Sequence, residues 1–168
     1  MIVSVARNYH AVFESVIVVV KPYPSTIGEA LKGAGLTAAE CARSRDGIAQ
    51  SIICGICATP GADGWLIALG DMPFIRKATI AAIYDAMSTA YIVVPACDGT
   101  RGNPVAFGRS FRDQLLGLAG DRGARGIVTA NSEQTREIEV GDPGILTDID
   151  SIDSLARVSD LINRGPPN

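Results

Sequence analysis

Short runs of apolar and β-branched residues alternate along this chain with longer segments whose apolar residues recur at helical spacing. The clearest run, residues 15–20, is continuously apolar after its first residue, which is typical of a strand covered on both faces. The runs predict strands at residues 15–20, 38–42, 64–69, 91–95, 105–107, 137–140 and 145–149. The helical spacing predicts helices at residues 6–14, 26–35, 47–59, 75–88, 110–118, 124–130 and 154–164. This alternation, with short links, predicts a doubly wound α/β domain with a mostly parallel sheet.

The composition fits a globular domain and argues against a nucleic-acid-binding or membrane protein. The chain has 168 residues, 47% of them hydrophobic and 20% charged, which fits one globular domain over residues 1–163 with a polar tail at 164–168. A net charge of −3 without any Lys/Arg run excludes the basic face of a nucleic-acid binder. No apolar run reaches the roughly 18 residues that a membrane span needs, and no signal peptide is recognisable. We therefore expect a cytoplasmic protein with no membrane partner.

Four cysteines raise the question of a redox or zinc site. Cys54 and Cys57 are separated by two residues, but Cys41 and Cys97 do not supply the second pair that a zinc site wants. In a cytoplasmic protein we expect all four as thiols. The sequence predicts Cys54 and Cys57 as small buried side chains on a helix that faces the core.

Asp71 follows the predicted strand at 64–69 and precedes Met72-Pro73. In doubly wound sheets ligands bind at the carboxyl ends of strands, which places Asp71 and the glycine-rich loop 98–104 on one rim. A carboxylate there suits a hard divalent cation, which takes one or two carboxylates and fills its other positions with water and phosphate oxygens. Alternatively, Asp71 caps the helix that Pro73 introduces. The pattern leaves both interpretations open.

Five segments together resemble the motifs of MobA-like nucleotidyltransferases, in the family's order. Residues 69–75 (Leu-Gly-Asp-Met-Pro-Phe-Ile) resemble its Leu-x-Asp-x-Pro signature, and residues 101–105 its Arg-Gly-His/Asn-Pro loop. Residues 120–125 resemble its Gly-Asp-x-Gly-Ala-Arg turn, residues 147–155 its closing Asp-Ile-Asp segment, and residues 47–52 its Gly-Met-x-x-Ser-Leu helix start. The chain looks most like the molybdenum-cofactor cytidylyltransferase branch.

The resemblance implies a Mg²⁺ site. In the family the aspartate at the strand end binds the Mg²⁺ that bridges the nucleotide phosphates, so Asp71 would be that ligand. Asp150 is the better candidate for a second ligand and Asp148 the lesser one. Both Asp71 and Asp150 would then also be the catalytic residues.

The resemblance also implies an acceptor site on two loops. The first loop would face the acceptor, and backbone amides and an arginine of the second would meet an anionic group such as a pterin phosphate. The residues concerned are Gly102, Asn103, Pro104, Gly120, Asp121, Gly123, Ala124 and Arg125. The alternative is structural: Asp121 caps the helix that starts at Ala124, and Arg125 pairs with it.

The activity implied is transfer of a nucleotidyl group, from CTP or another NTP, to molybdopterin or a similar phosphorylated acceptor. One family feature is absent from the sequence: the glycine-rich NTP loop and its lysine, since the first glycine is Gly28. Losing one transition-state donor costs about 10²–10³ in rate, so we expect turnover to be reduced or lost. The alternative is a non-catalytic module that holds the cofactor or a molybdoenzyme client.

The absent loop also concerns the sheet, because the family's strand before it is an inner one, and an unfilled slot leaves unpaired backbone groups. Three explanations are open. The domain is N-terminally truncated because its start codon is assigned too late; the sheet closes directly between residues 15–20 and 64–69; or a partner chain supplies a strand. In-frame DNA upstream of Met1 tests the first.

Overall fold

The computed structural model describes residues 1–22 and 26–149. The helices are α1 (Ile2–His10), α2 (Thr26–Gly33), α3 (Ile48–Ala58), α4 (Lys77–Ala86), α5 (Arg112–Leu116) and α6 (Arg125–Ala130). The strands are β1 (Ile17–Val20), β2 (Thr37–Glu40), β3 (Gly64–Ile67), β4 (Ile92–Cys97), β5 (Thr100–Arg101), β6 (Val105–Gly108) and β7 (Thr135–Glu139). Short 3₁₀ turns lie at Ser44–Asp46, Arg109–Phe111, Ser132–Gln134 and Pro143–Leu146.

Helices α1 and α3 form because each presents an apolar stripe to the sheets. In α3 the buried residues are Ala49, Ile52 and Ile56, spaced three and four apart on one face. In α1 they are Val5, Ala6 and Tyr9. Within the described part of the chain, no helix is long and apolar enough to cross a membrane.

The strands form two separate sheets. In the smaller one, β1 and β2 pair in parallel. In the larger one, β6 lies between β3 and β4, β5 pairs with the end of β4, and β7 pairs with the other edge of β4. The α/β class predicted from the sequence is confirmed.

The expectation of a mostly parallel sheet was wrong for the larger sheet. Its pairings β3–β6, β4–β6 and β4–β5 are antiparallel, and only β4–β7 is parallel. The reason lies in the connection after β4: a tight turn at Asp98-Gly99 sends the chain straight back, whereas a parallel return needs a crossover of about a dozen residues. Direct closure between β1 and β3 was also wrong, because these strands lie in different sheets.

Most of the predicted elements are present with shifted ends. The strand predicted at 145–149 is absent; its residues begin in the 3₁₀ turn Pro143–Leu146 and continue as irregular chain. The helix predicted at 154–164, the domain end at 163 and the tail at 164–168 lie outside the described residues.

The cysteines depart from the prediction. Cys41 and Cys54 are joined by a disulfide, which links the end of β2 to α3, with their Cα atoms 5.9 Å apart. Cys57 is an exposed free thiol rather than a buried one, and Cys97 is a buried free thiol. The sequence could not pair Cys41 with Cys54, because their proximity depends on how α3 packs beside β2.

Alkylation followed by mass spectrometry tests this arrangement. Treated with iodoacetamide in its native, unreduced state, the protein is expected to take up one adduct at Cys57, because Cys97 is buried and the other two are bonded. Denaturation with reduction should expose all four cysteines to the reagent. Labelling of Cys54 without reduction would contradict the disulfide.

Candidate active site

Asp71 lies a few residues beyond the end of β3 and is half-buried. Its Oδ1 atom is buried and accepts no hydrogen bond from any described residue. Buried polar atoms in proteins nearly always have a partner, so an unpaired carboxylate oxygen points to a ligand position. The alternative that Asp71 caps a helix was wrong: α4 begins at Lys77, with Arg76 as its N-cap residue.

Asp142 takes the capping role instead. Its side chain is buried, and Oδ2 accepts hydrogen bonds from the backbone N–H of Arg76 at 2.9 Å and from the Thr79 hydroxyl at 2.6 Å. Its Oδ1 accepts the backbone N–H of Gly144 at 3.0 Å, which closes the turn after it. The sequence analysis missed Asp142. The Asp-Pro-Gly pattern at 142–144 indicates a turn, but nothing local reveals its partners 63 and 66 residues away.

The turn that Asp142 anchors leads the following chain past Asp71. The backbone N–H of Ile149 donates to the Asp71 carbonyl at 2.9 Å, and that of Asn103 donates to the Ile145 carbonyl at 2.9 Å. The segment that begins the Asp-Ile-Asp motif therefore lies beside Asp71, with the predicted acceptor loop against it. Asp148 is exposed, and Asp150 lies outside the described residues.

The three residues of the first acceptor loop have different environments. The N–H of Gly102 donates to the Pro95 carbonyl at 2.9 Å, and a Cβ on Gly102 would collide with the backbone of Ile145. Pro104 is fully buried. Asn103 is half-buried, and its side chain has no hydrogen-bond partner within the described ranges. Gly102 and Pro104 thus set the shape of the loop, while the Asn103 amide is available to a ligand.

The rest of the predicted rim loop is a hairpin. Asp98 and Gly99 both adopt positive φ, at 51° and 71°, as the two-residue turn between β4 and β5 requires. Glu139 of β7 accepts the Asp98 N–H at 2.9 Å. Arg101 forms an ion pair with Glu137 at 2.5 Å, so its charge is already compensated.

The second acceptor loop packs against the beginning of α3. The Gly120 carbonyl accepts the N–H of Ala49 at 3.2 Å. A Cβ on Gly47, which has φ of 111°, would lie 2.6 Å from Asp121 Oδ1. Asp121 therefore faces the start of α3, and α6 has no side-chain cap, so the alternative in which Asp121 caps that helix was wrong.

The remaining residues of this loop complete the turn before α6. Gly123 has positive φ at 55°, Ala124 is the N-cap residue of α6, and the exposed Arg125 forms no ion pair with Asp121 in the structure as described. One hydrogen bond attaches the turn to α3, and none between described residues joins it to the Asp71 segment. The structure thus brings together Asp71, the 102–104 loop and residues 147–149, and holds the 120–125 loop on a different element.

Negative charge surrounds this end of the larger sheet. The pKa of the Cys97 thiol is raised by desolvation and further by the carboxylates of Asp98, Glu139 and Asp142. Burial likewise raises the pKa of Tyr9, and the charge of Asp142 adds to this. Two arginines offset part of this charge: Arg76 Nε lies 3.8 Å from Asp142 Oδ1, and Arg101 pairs with Glu137.

The described residues contain no group of three or more His, Cys, Asp or Glu side chains placed to hold a metal. Mg²⁺ does not need one, because it retains several waters and binds through one or two carboxylates plus substrate phosphates. The unpaired Oδ1 of Asp71 fits that requirement. Of the two predicted metal ligands, the structure describes Asp71, whereas Asp150 lies outside the described residues.

Comparison with protein families matches residues 1–136 to the MobA-like NTP transferase domain. The chain belongs to this family, as the motifs indicated, and its function is of the nucleotidyltransferase type. No curated protein sequence matches it significantly.

Solved structures share the fold. Rv0371c from Mycobacterium tuberculosis H37Rv superposes with a TM-score of 0.76 at 24% identity, covering 95% of this chain and 84% of that one. The manganese complex of Rv0371c gives a TM-score of 0.72 at 22% identity, covering 95% and 87%. A nucleotidyl transferase from Methanothermobacter thermautotroptrophicus gives 0.79 at 20% identity, covering 98% and 81%. A CMP:2-keto-3-deoxy-manno-octonic acid synthetase complexed with CTP gives 0.69 at 12% identity, covering 98% and 88%.

Proposed function

We propose that this protein binds CTP as a Mg²⁺ complex at Asp71 and transfers the cytidylyl group to molybdopterin or a similar phosphorylated acceptor. The observation that carries the proposal is the buried Oδ1 of Asp71, which has no partner among residues 1–22 and 26–149 and lies beside the start of the Asp-Ile-Asp motif. The family match and the manganese complex of a structural neighbour support a divalent cation there.

In the proposed reaction a phosphate oxygen of the acceptor attacks the α-phosphorus of CTP. The bond between the α-phosphorus and the bridging oxygen breaks, and pyrophosphate leaves. A divalent cation held at Asp71 would supply charge neutralisation for the phosphates. Asp71 offers a carboxylate oxygen, and Asp150 is the proposed second ligand.

The backbone around Asp71 serves to position it. The Ile149 N–H donates to the Asp71 carbonyl, which holds the peptide that carries the carboxylate. We assign Asn103 to orientation of the acceptor, because its side-chain amide lies next to this segment and has no hydrogen-bond partner in the described part of the chain. Gly120, Asp121, Gly123, Ala124 and Arg125 form the proposed site for an anionic group of the acceptor.

A binding module without turnover is the second candidate. The residues that the structure brings together at the candidate site, Asp71, the 102–104 loop and 147–149, include no Lys or Arg. Cationic groups that stabilise the charge of transferring phosphates are usually the largest single contribution to catalysis of this kind. Their absence from this part of the structure favours retention of a ligand over rapid transfer.

Calorimetric titration with CTP tests the proposed site. We expect saturable heat when Mg²⁺ or Mn²⁺ is present and none in excess EDTA, because a carboxylate such as that of Asp71 attracts nucleotide phosphates only through a cation. Equal binding with and without the cation would contradict the proposal. Addition of molybdopterin separates the two candidates: pyrophosphate release identifies the transferase, and binding without release identifies the module.

A further inference from the structure

Cys41, Cys54 and Cys57 form a connected set, which we call the cysteine group. Cys41 at the end of β2 is bonded to Cys54 of α3, and Cys57 is a free thiol on the same helix. Residues three apart in an α-helix have Cα atoms about 5 Å apart and neighbouring side chains. The free thiol of Cys57 therefore lies within one helical turn of an existing disulfide.

The three sulfurs differ in their access to solvent. Cys41 is fully buried, Cys54 is half-buried and Cys57 is exposed. Thiol–disulfide exchange proceeds by direct attack of a thiolate on a disulfide sulfur, so its rate depends on access. Within the cysteine group, Cys57 is the residue that a thiol in solution reaches most easily.

The structure contains a hydrogen-bond acceptor for a Cys41 thiol. Its Sγ lies 3.3 Å from the carbonyl oxygen of Gln50, in the first turn of α3. In the disulfide this sulfur has no proton, whereas a free thiol would donate one to that oxygen. The Cys41 backbone N–H also donates to the Val20 carbonyl at 2.9 Å, which holds the residue beside β1. Opening the disulfide therefore leaves a buried Cys41 thiol with a partner.

A bond between Cys54 and Cys57 is compatible with α3. Disulfides join residues whose Cα atoms are about 4.4–6.8 Å apart, and the helical spacing of about 5 Å falls within that range. Cys57 is the last residue but one of α3, which ends at Ala58. Helix ends fray, so the last turn can adjust to the new bond. Exchange of the bond from Cys41 to Cys57 is thus geometrically open.

The disulfide also fixes a segment that has few other links. In residues 42–46 the backbone hydrogen bonds are local, from Ser44 to Cys41 at 3.1 Å and from Asp46 to Arg43 at 2.9 Å. Between described residues, no hydrogen bond from this segment reaches another element. The disulfide is therefore the long-range link that holds the segment beside α3.

The 120–125 loop rests on the end of that segment. A Cβ on Gly47 would lie 2.6 Å from both the Gly120 carbonyl oxygen and Asp121 Oδ1. Contacts this close leave no room for Gly47 to shift without displacing the loop. The position of the loop therefore depends on how firmly residues 42–47 are held.

We propose that the cysteine group is a thiol–disulfide switch that controls how firmly the 120–125 loop is held. In the first step the Cys57 thiol loses its proton and attacks Sγ of Cys54. A Cys54–Cys57 bond forms, the Cys41–Cys54 bond breaks, and Cys41 leaves as a thiolate that takes up a proton. This step consumes no oxidant or reductant.

In the second step a dithiol in solution reduces the accessible Cys54–Cys57 bond. One thiolate of the dithiol attacks Sγ of Cys57 and releases Cys54. Its second thiolate then displaces Cys57, so the dithiol becomes a disulfide and all three cysteines end as thiols. The effect on acceptor binding rests on the proposed function, because the 120–125 loop is the proposed site for an anionic group. The switch itself does not.

The rate of reduction tests the role of Cys57. The protein is incubated with dithiothreitol, and loss of the Cys41–Cys54 bond is followed by mass spectrometry. We expect Cys57→Ala to react at least about tenfold more slowly, because the reagent must then attack a half-buried bond directly. Cys97→Ala removes the other free thiol, which lies in a different hydrophobic cluster, and should react like the unmodified protein.

Tryptic peptides distinguish the two bonds, once N-ethylmaleimide at mildly acidic pH has blocked the free thiols. Cleavage sites in this region follow Lys32, Arg43, Arg45 and Arg76. The Cys41–Cys54 bond therefore links peptide 33–43 to peptide 46–76, whereas a Cys54–Cys57 bond lies within peptide 46–76. We expect the internally bonded peptide to appear transiently during reduction of the unmodified protein.

Amide hydrogen exchange tests the effect on the loop. After full reduction, exchange in residues 42–47 and 120–123 should be at least about tenfold faster, because the cross-link no longer restrains local opening. Residues 92–97, in the fully buried β4, should be unaffected.

Three results would overturn the proposal. One is reduction of Cys57→Ala as fast as the unmodified protein and Cys97→Ala. Another is the absence of the internally bonded peptide 46–76 at every time point. The third is unchanged exchange in residues 120–123 after reduction. None of these measurements uses CTP or an acceptor, so the switch and the proposed function can fail separately.

Discussion

Replacing Asp71 by asparagine is expected to weaken Mg²⁺-dependent CTP binding by about a hundredfold. Loss of a residue that only hydrogen-bonds to a metal ligand already costs about 10–100-fold in metal affinity, and Asp71 is the proposed ligand itself. The same change should not lower the melting temperature. Oδ1 of Asp71 is buried without a partner, so its charge contributes no described hydrogen bond to the fold. Isothermal titration with Mg·CTP and a thermal melt measure the two effects.

The matched control is Asp113→Asn, which removes the same charge from a side chain that is 97% exposed and remote from the site. It should leave both binding and stability unchanged. If Asp71→Asn binds Mg·CTP like the unmodified protein, Asp71 is not the metal ligand. If it unfolds instead, its carboxylate has a structural role that the hydrogen bonds do not reveal.

Replacing Asp142 by alanine is expected to lower the free energy of unfolding by about 3 kcal/mol. The carboxylate accepts hydrogen bonds from Arg76, Thr79 and Gly144, and its loss leaves these donors without their partner in a buried place. In a domain of this size such a loss shifts the melting temperature by about 6–12 °C. Chemical denaturation gives the free energy directly.

Asp142 also determines where the site segment lies, so a second measurement distinguishes positioning from stability alone. Below the new melting temperature, Asp142→Ala should still bind Mg·CTP more weakly, because the turn that leads to Ile149 has lost its anchor. Asp142→Asn keeps one acceptor oxygen and should be affected less. A loss below about 1 kcal/mol, the value of an ordinary hydrogen bond, would contradict the anchoring role.

Much of the fold could be predicted from the sequence because its pattern is local. The continuous apolar run of β1 and the helical spacing in α3 depend on neighbours within a few residues. Strand direction could not be predicted in this way. It depended on the two residues Asp98 and Gly99, whose positive φ angles reverse the chain after β4.

In the candidate site, too, residues in local motifs could be predicted and residues placed by long-range contacts could not. Its proposed residues were visible as motifs, and Asp71 was singled out from its place after an apolar strand. Asp142 was not, because a carboxylate that caps a helix from 66 residues away leaves no local pattern. The cysteines show the same limit, since the Cys41–Cys54 pairing depends on packing between β2 and α3.

The sequence by itself determined the α/β class, the family and the position of Asp71 at a strand end, because periodicity and motif spacing are properties of short segments. The tertiary structure alone decided which segments meet: that residues 147–149 lie beside Asp71, and that the 120–125 loop belongs to α3. It also decided that β1 and β3, whose apolar sequences are those of buried strands, lie on opposite sides of an open cleft. Burial and pairing are set by contacts between residues far apart in the chain, and no local pattern records them.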